Sequence, residues 1–217
     1  MPRVWEKLKA AVEAQVAAAP PEFRAAFDDA MDAHLARVRA EQAGTALDEA
    51  TARRAAAGEA AVLAPLRAKL GLDAAEVRLV GAAPTPMPVH QFFAALGLMM
   101  AEVWGMSELS PIATWNPPGR IKLGTCGTAL PGVEVRLAED GEVLVRGPIV
   151  MRGYRNQPEK TAEAVDEQGF MHSGDVGRID AEGYLTIIDR KKELIINSGG
   201  KNMSPANTRQ RSSPAAR

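Results

Sequence analysis

The chain has 217 residues, with 26 Lys and Arg against 27 Asp and Glu for a net charge of −1, and a single cysteine, Cys126. That length accommodates one or two domains with a buried core, which excludes a disordered or disulfide-stapled miniature. The near-neutral balance gives no argument for nucleic acid. One cysteine allows neither an intrachain disulfide nor a cysteine zinc cluster, and His34, His90 and His172 are too scattered for a metal cluster.

Residues 4–70 read as helical. Trp5, Leu8, Val12 and Val16 form one apolar stripe at i, i+3, i+7 and i+11. Pro20-Pro21 breaks the chain, and Pro21 suits the first turn of a new helix whose stripe is Phe23, Phe27, Ala30, Met31, Leu35 and Val38. A third helix is expected from about Asp48 to Leu70, with Gly71 as its C-cap. Of the 39 alanines, 25 lie in residues 1–75. Alanine favours helix but contributes little buried area, so large core residues are sparse there.

The character changes at Val77. Val77–Val80 reads as a short strand running into Gly81-Ala82-Ala83-Pro84, followed by a helix around Val89–Leu98 and a strand at Glu102–Gly105. Strand, loop, helix and strand in that order suggest a parallel sheet with its ligand edge at the strand C-termini. From Gly124 the pattern is β. Val133–Leu137 and Glu142–Arg146 flank the turn Glu139-Asp140-Gly141, Val176–Ile179 and Tyr184–Ile188 flank Asp180-Ala181-Glu182-Gly183, and a helix covers Pro158–Val165. A last strand, Glu193–Ile196, leads into Asn197-Ser198-Gly199-Gly200. Residues 189–217 carry a net charge of +5 against −6 for the rest. The aperiodic segment Thr208–Arg217 reads as a solvated tail, the alternative being a basic contact for a phosphate-bearing partner.

Three segments carry chemistry. In Trp104-Gly105-Met106-Ser107-Glu108, a strand-end aromatic suits stacking on a planar base, the glycine permits close backbone approach, and a hydroxyl beside a carboxylate suits a phosphate and a magnesium ion. Aromatic-glycine turns are also common structural features. In His172-Ser173-Gly174-Asp175, the Asp after a glycine turn is placed to accept from two ribose hydroxyls, or merely caps the turn. In Gly183–Asn202, two strands flank the charged turn Asp189-Arg190-Lys191-Lys192-Glu193. That junction reads as a hinge or as an ordinary charged β-turn.

Taken together, in this order and spacing, these segments resemble the AMP-forming acyl-CoA synthetases of the adenylate-forming superfamily, and most of all the long-chain fatty-acid–CoA ligases. Pro2-Arg3-Val4-Trp5-Glu6-Lys7, Gly81–Pro84, Trp104–Glu108, Met171–Gly177 and Gly183–Pro205 carry the resemblance. It implies activation of a long-chain fatty acid by ATP to an acyl-adenylate, then thiol attack by coenzyme A, with magnesium required. The implied nucleotide-site residues are Gly81, Ala82, Ala83, Trp104 (stacked on adenine), Gly105, Met106, Ser107 (α-phosphate), Asp175 (ribose) and Arg190 (ribose or phosphate). Ser107 and Glu108 are the implied catalytic residues, with Glu108 on the metal, Lys192 at the hinge, and Gly199 and Gly200 on the coenzyme A tunnel.

The implied fold class is α/β, part of the family's large domain. Its parts are a helical segment over 1–75, a nucleotide-site segment over 76–124, a β-rich, barrel-like subdomain over 125–190, the hinge and the start of a C-terminal domain over 191–207, and the tail over 208–217. The sequence has no Ser/Thr/Gly-rich loop ending in Pro-Lys-Gly, which the family uses to hold phosphates, and the resemblance implies that the family's adenylation lysine, far beyond the hinge, is missing too. The expectation is therefore an incomplete, split or frameshifted chain. It would have little activity alone, exposed edges normally covered by the rest of the fold, and a complementary N-terminal chain as a candidate partner. Alternatives are an inactive nucleotide-binding remnant or interaction module, and an adenylating enzyme for another carboxylic acid. The longest apolar run, Phe92–Ala101, is half of the ~20 residues that a membrane span needs. The expected compartment is the cytoplasm, with peripheral membrane attachment left open.

Overall fold

The computed structural model describes residues 2–193, 195–196 and 202–203. The chain divides into two compact units. The first runs to Val103 and includes Asn116–Gly124; the second comprises Trp104–Trp115 and the described residues from Thr125 onward.

The first unit is mainly helical. Helix α1 (Pro2–Ala17) buries Val12, with Trp5, Leu8 and Val16 packed partly on the same core. The edge of Trp5 meets the ring of Phe93 at 4.9 Å. Helix α2 (Pro21–Ala43) starts with proline in its first turn, as the sequence pattern implies, and ends at Gly44 with φ 64°. Helix α3 (Glu49–Gly58) is capped by Asp48, whose side chain accepts the Thr51 amide at 2.9 Å.

The third helix departs from the regular one expected. It opens into a wider π turn over Glu59–Leu63 and resumes as α4 (Ala64–Lys69). The cause is Pro65, which has no amide to give to the preceding turn. The Ala64 amide instead reaches back five residues to the Glu59 carbonyl. The alanines have a packing use. Ala30, Ala33 and Ala55 are buried, and Gly58 lies so near Ala30 that a Cβ there would sit 2.6 Å from the Ala30 Cβ. Small residues let α2 and α3 approach closely, while Phe27, Leu63, Phe92, Phe93 and Leu96 fill the centre.

Strand β1 (Leu79–Val80) is shorter than the sequence suggests and pairs parallel with β2 (Ala101–Trp104), Val80 opposite Glu102. Helix α5 (Met87–Ala95) crosses between them. The carbonyl of Glu102 accepts from both the amide and the side chain of Asn116, at 3.2 and 3.3 Å.

The second unit is β-rich. Strands β3 (Thr114–Trp115) and β4 (Thr128–Ala129) pair antiparallel. Strands β5 (Glu134–Leu137), β6 (Glu142–Arg146), β7 (Met171–Ile179) and β8 (Leu185–Arg190) form an antiparallel sheet in sequence order. Both hairpins sit where the Asp-containing turns predict. Asp140 accepts the Glu142 amide, and Asp180 accepts the amides of Glu182 and Tyr184. Helix α6 (Pro158–Ala164) lies between β6 and β7 in sequence. Val143, Val145, Met171, Leu185, Leu109 and Trp104 form the core.

Strand β7 begins five residues earlier than the sequence reading, so His172–Asp175 lies within a strand rather than in a turn. Met171, Ser173 and Asp175 face inward and alternate with the less buried His172 and Gly174. Past β8, Lys191–Glu193 form a short 3₁₀ turn, and β9 (Ile195–Ile196) pairs antiparallel with β10 (Asn202–Met203). No described helix is long and apolar enough to cross a membrane.

Candidate functional site

In the first unit, the loop after β1 carries Gly81, Ala82 and Ala83. Gly81 runs against the next strand, where an added Cβ would lie 2.8 Å from Val103 Cγ2 and 2.9 Å from the Val103 carbonyl oxygen. Ala82 has φ 70°, a left-handed conformation that costs a non-glycine residue roughly 1–2 kcal/mol. Ala82 and Ala83 are both exposed.

In the second unit, residues far apart in sequence meet at Asp175. Trp104 donates its indole N–H to Asp175 Oδ2 at 2.8 Å. The Nε of Arg190, at the end of β8, lies 2.7 Å from Oδ1. Ser173 Oγ accepts the Asp175 amide at 3.1 Å. Trp104 and Asp175 are buried and Arg190 is mostly exposed. The carboxylate therefore has a neutral indole donor on one side and a solvent-facing cation on the other. Each oxygen makes one of these contacts, and a carboxylate offers about four lone-pair sites, so acceptor capacity remains for hydroxyl groups.

The Trp104–Glu108 segment turns tightly. A Cβ on Gly105 would lie 2.1 Å from the Pro111 carbonyl oxygen, so only glycine fits. Ser107 opens a single 3₁₀ turn, Ser107–Leu109, and is exposed. Tyr154 donates its hydroxyl to Glu108 Oε1 at 2.8 Å, which raises the phenol pKa above its usual value. The Met151 amide donates to the Glu108 carbonyl at 2.8 Å. Among the described residues no group of three His, Cys, Asp or Glu forms a metal cage. A single supported carboxylate nevertheless suits magnesium, which is commonly held by one or two carboxylates plus substrate phosphates and water.

Beside these residues lies a cleft of about 730 Å³, lined by Met106, Tyr154, His172, Arg190 and Lys192 among others. Glu142, buried at its edge, accepts the Gly174 amide at 2.8 Å and Lys191 Nζ at 2.9 Å. Lys191 also bridges to Asp140 at 2.6 Å. Burial raises the Glu142 pKa, but Lys191, the Gly174 amide and His172 outweigh it and hold the carboxyl below its usual value. Asp140 and then Glu142 push the Lys191 pKa up.

The structure thus brings Trp104 and Arg190 each onto Asp175, and sets Met106, Arg190 and Lys192 on one cleft. Gly81, Ala82 and Ala83 belong to the first unit, and Gly199 and Gly200 lie outside the described residues. Three partners escaped the sequence reading: Tyr154, Glu142 and Lys191. A lone tyrosine after a glycine and a glutamate at a strand start carry no local signal. Only Lys191 has such a signal, as part of the charged turn Asp189–Glu193.

The family model for AMP-binding enzymes matches residues 1–155. The chain belongs to the AMP-binding enzyme family. Putative fatty-acid–CoA ligase fadD11 of Mycobacterium tuberculosis (strain ATCC 25618 / H37Rv) is 51% identical over 208 residues, covering 95% of this chain and 36% of that protein. Long-chain-fatty-acid–CoA ligase ACSBG1 of Homo sapiens is 35% identical over 210 residues, covering 94% and 28%. The solved structure of ATP-bound MatB from Rhodopseudomonas palustris is 33% identical and superposes with a TM-score of 0.58, over 64% of this chain and 30% of that one. The α/β fold is therefore that of part of an adenylate-forming enzyme. This chain spans about a third of the length of the curated relatives it matches.

Proposed function

We propose that this chain carries the nucleotide-holding part of a long-chain fatty-acid–CoA ligase that converts fatty acid and ATP to acyl-AMP and pyrophosphate, then acyl-AMP and coenzyme A to acyl-CoA and AMP. The observation that carries this reading is the convergence of an aromatic, a carboxylate and a guanidinium from positions 104, 175 and 190. A buried carboxylate with spare acceptor sites suits a ribose diol, and an adjacent guanidinium suits a ribose hydroxyl or a phosphate oxygen. The names and identities of the relatives supply the substrate class.

In this reading Asp175 accepts from the ribose, Arg190 orients the sugar and α-phosphate, and Ser107 donates its hydroxyl to an α-phosphate oxygen. By the family resemblance Gly81, Ala82 and Ala83 belong to the adenine and acyl pockets, Trp104 stacks on adenine, and Gly105 and Met106 belong to the nucleotide-binding set. Glu108, steadied by Tyr154, holds magnesium, which when bound neutralises charge on the triphosphate. Lys192 is the hinge, and Gly199 and Gly200 serve the coenzyme A tunnel.

The test is MgATP binding followed by tryptophan fluorescence, with fatty-acid-dependent exchange of pyrophosphate into ATP. Exchange is measured with and without added chains that supply both the Ser/Thr/Gly-rich phosphate loop and the adenylation lysine. Binding that Asp175→Ala abolishes, with exchange in at least one arm, supports the ligase. Binding without exchange in either arm favours a nucleotide-binding module, and no binding overturns both.

A further inference from the structure

Two consecutive residues of one strand clamp the loop Gly81–Thr85 at both ends. At its start Gly81 lies against Val103, with no room for a side chain. At its end the Thr85 amide donates to Glu102 Oε1 at 3.1 Å. The other oxygen of Glu102, Oε2, meets His90 Nε2 at 2.9 Å. His90 is 2% exposed and Glu102 7% exposed, and all of these residues belong to the first unit. The Glu102 backbone is fixed in turn by its parallel register with Val80 and by Asn116.

Between the clamped ends Ala82 holds φ 70°. A left-handed alanine persists where its surroundings over-determine it, and such strain gathers where a backbone is pre-organised for a ligand. The Thr85 hydroxyl is buried without a partner among the described residues, so the amide is what holds this end. The same is true of His90 Nδ1, which leaves the ring one polar contact, the carboxylate.

We propose that Glu102 and His90 are positioning residues for nucleotide binding. Glu102 ties down the end of the loop, His90 locks the plane of the carboxylate, and together they hold the left-handed turn at Ala82. The consequence for binding rests on the assignment of Gly81, Ala82 and Ala83 to the nucleotide pocket. The clamp itself does not.

The experiment pairs amide hydrogen exchange of the full chain with MgATP titration, for wild type, Glu102→Ala, Glu102→Gln and His90→Asn. In the wild type the Thr85 amide is expected to exchange at least about 100-fold more slowly than those of Ala82 and Ala83. Equal exchange overturns the clamp, and this comparison needs no variant to fold. Glu102→Ala is expected to speed Thr85 exchange at least tenfold and weaken MgATP binding about tenfold, with α2 and α3 unchanged. Glu102→Gln keeps the acceptor and is expected to stay within about threefold of wild type. His90→Asn should fall between the two. A Glu102→Gln loss as large as that of Glu102→Ala overturns the role of the Thr85 bond, and an unchanged loop in His90→Asn overturns that of His90. Wild type that binds no MgATP overturns the nucleotide reading, while the exchange data still decide the clamp.

Discussion

Trp104 and Asp175, 71 positions apart in sequence, are joined by an indole hydrogen bond of 2.8 Å inside the second unit. The bond ties Trp104 to the middle of β7 and gives the buried carboxylate a neutral donor opposite the Arg190 cation. A buried carboxylate needs such partners, because desolvating it unpaired is costly. The residue that the family resemblance sets against adenine therefore also orients the residue that it sets against ribose.

Trp104→Phe keeps an apolar ring and removes the N–H. Hydrogen bonds to charged groups contribute about 1.5–3 kcal/mol, so urea denaturation should show a loss of about 2 kcal/mol. Asp175→Asn added to Trp104→Phe should cost less than Asp175→Asn in wild type, since the partner is already gone. Equal costs in both backgrounds would show that the bond carries no coupling.

Gly105→Ala tests the tight turn. The added methyl would meet the Pro111 carbonyl oxygen at 2.1 Å and the Ile112 Cα at 2.9 Å. Both are backbone atoms that no rotamer change can move, so the turn itself must shift. The expected loss is about 3 kcal/mol, at the upper end of usual overpacking costs, and is read as a drop in melting temperature. A variant as stable as wild type would contradict the geometry.

Where a feature is local, the sequence already determines it. The Asp-containing hairpin turns and the Pro21 start are each set by a few neighbouring residues. The α1 stripe is legible for the same reason. The π turn was not, because it depends on how Pro65 and the packed apolar residues share one helix. The sequence pattern marks β7 only from Val176 because its earlier inward positions, Ser173 and Asp175, are polar, which hides the period of two. Their burial makes sense only once Trp104 and Arg190 are in place, and neither is near in sequence. Tyr154 and Glu142 stayed invisible on the same ground.

The Glu142–Lys191 pair beside the proposed hinge should be felt as stability. Lys191→Met leaves Glu142 buried without its cation. The lysine side chain is 47% exposed, so solvent screening reduces the usual cost of breaking a buried pair to about 1–2 kcal/mol. The folded-state pKa of Glu142 is depressed, so its contribution is present above the unfolded value near ~4.3 and is lost as pH falls through the lower folded value. The difference between wild type and Lys191→Met should therefore shrink at acid pH. The Lys191 contribution is present below the unfolded value of about 10.4 and is lost as pH rises through the higher folded value. A difference independent of pH across both ranges would show that the pair contributes nothing.

His34 gives the first unit an acid-sensitive point. It is 3% exposed, with Nε2 3.4 Å from both Arg37 and Glu59, and Arg67 close by in ionic contact with Glu59. Burial first, and then Arg37, depress its pKa; Glu59 opposes them and Arg67 adds to them. Because the folded value lies below the unfolded one, the unfolded chain takes up the proton more readily. The stability that the neutral ring provides is present above the unfolded value near ~6.5 and is lost as pH falls through the folded value. Melting temperature should therefore drop between pH 7 and pH 5. In His34→Gln, which stays neutral, that drop should be smaller. Equal pH slopes in the two proteins would show that His34 protonation does not govern the acid limb.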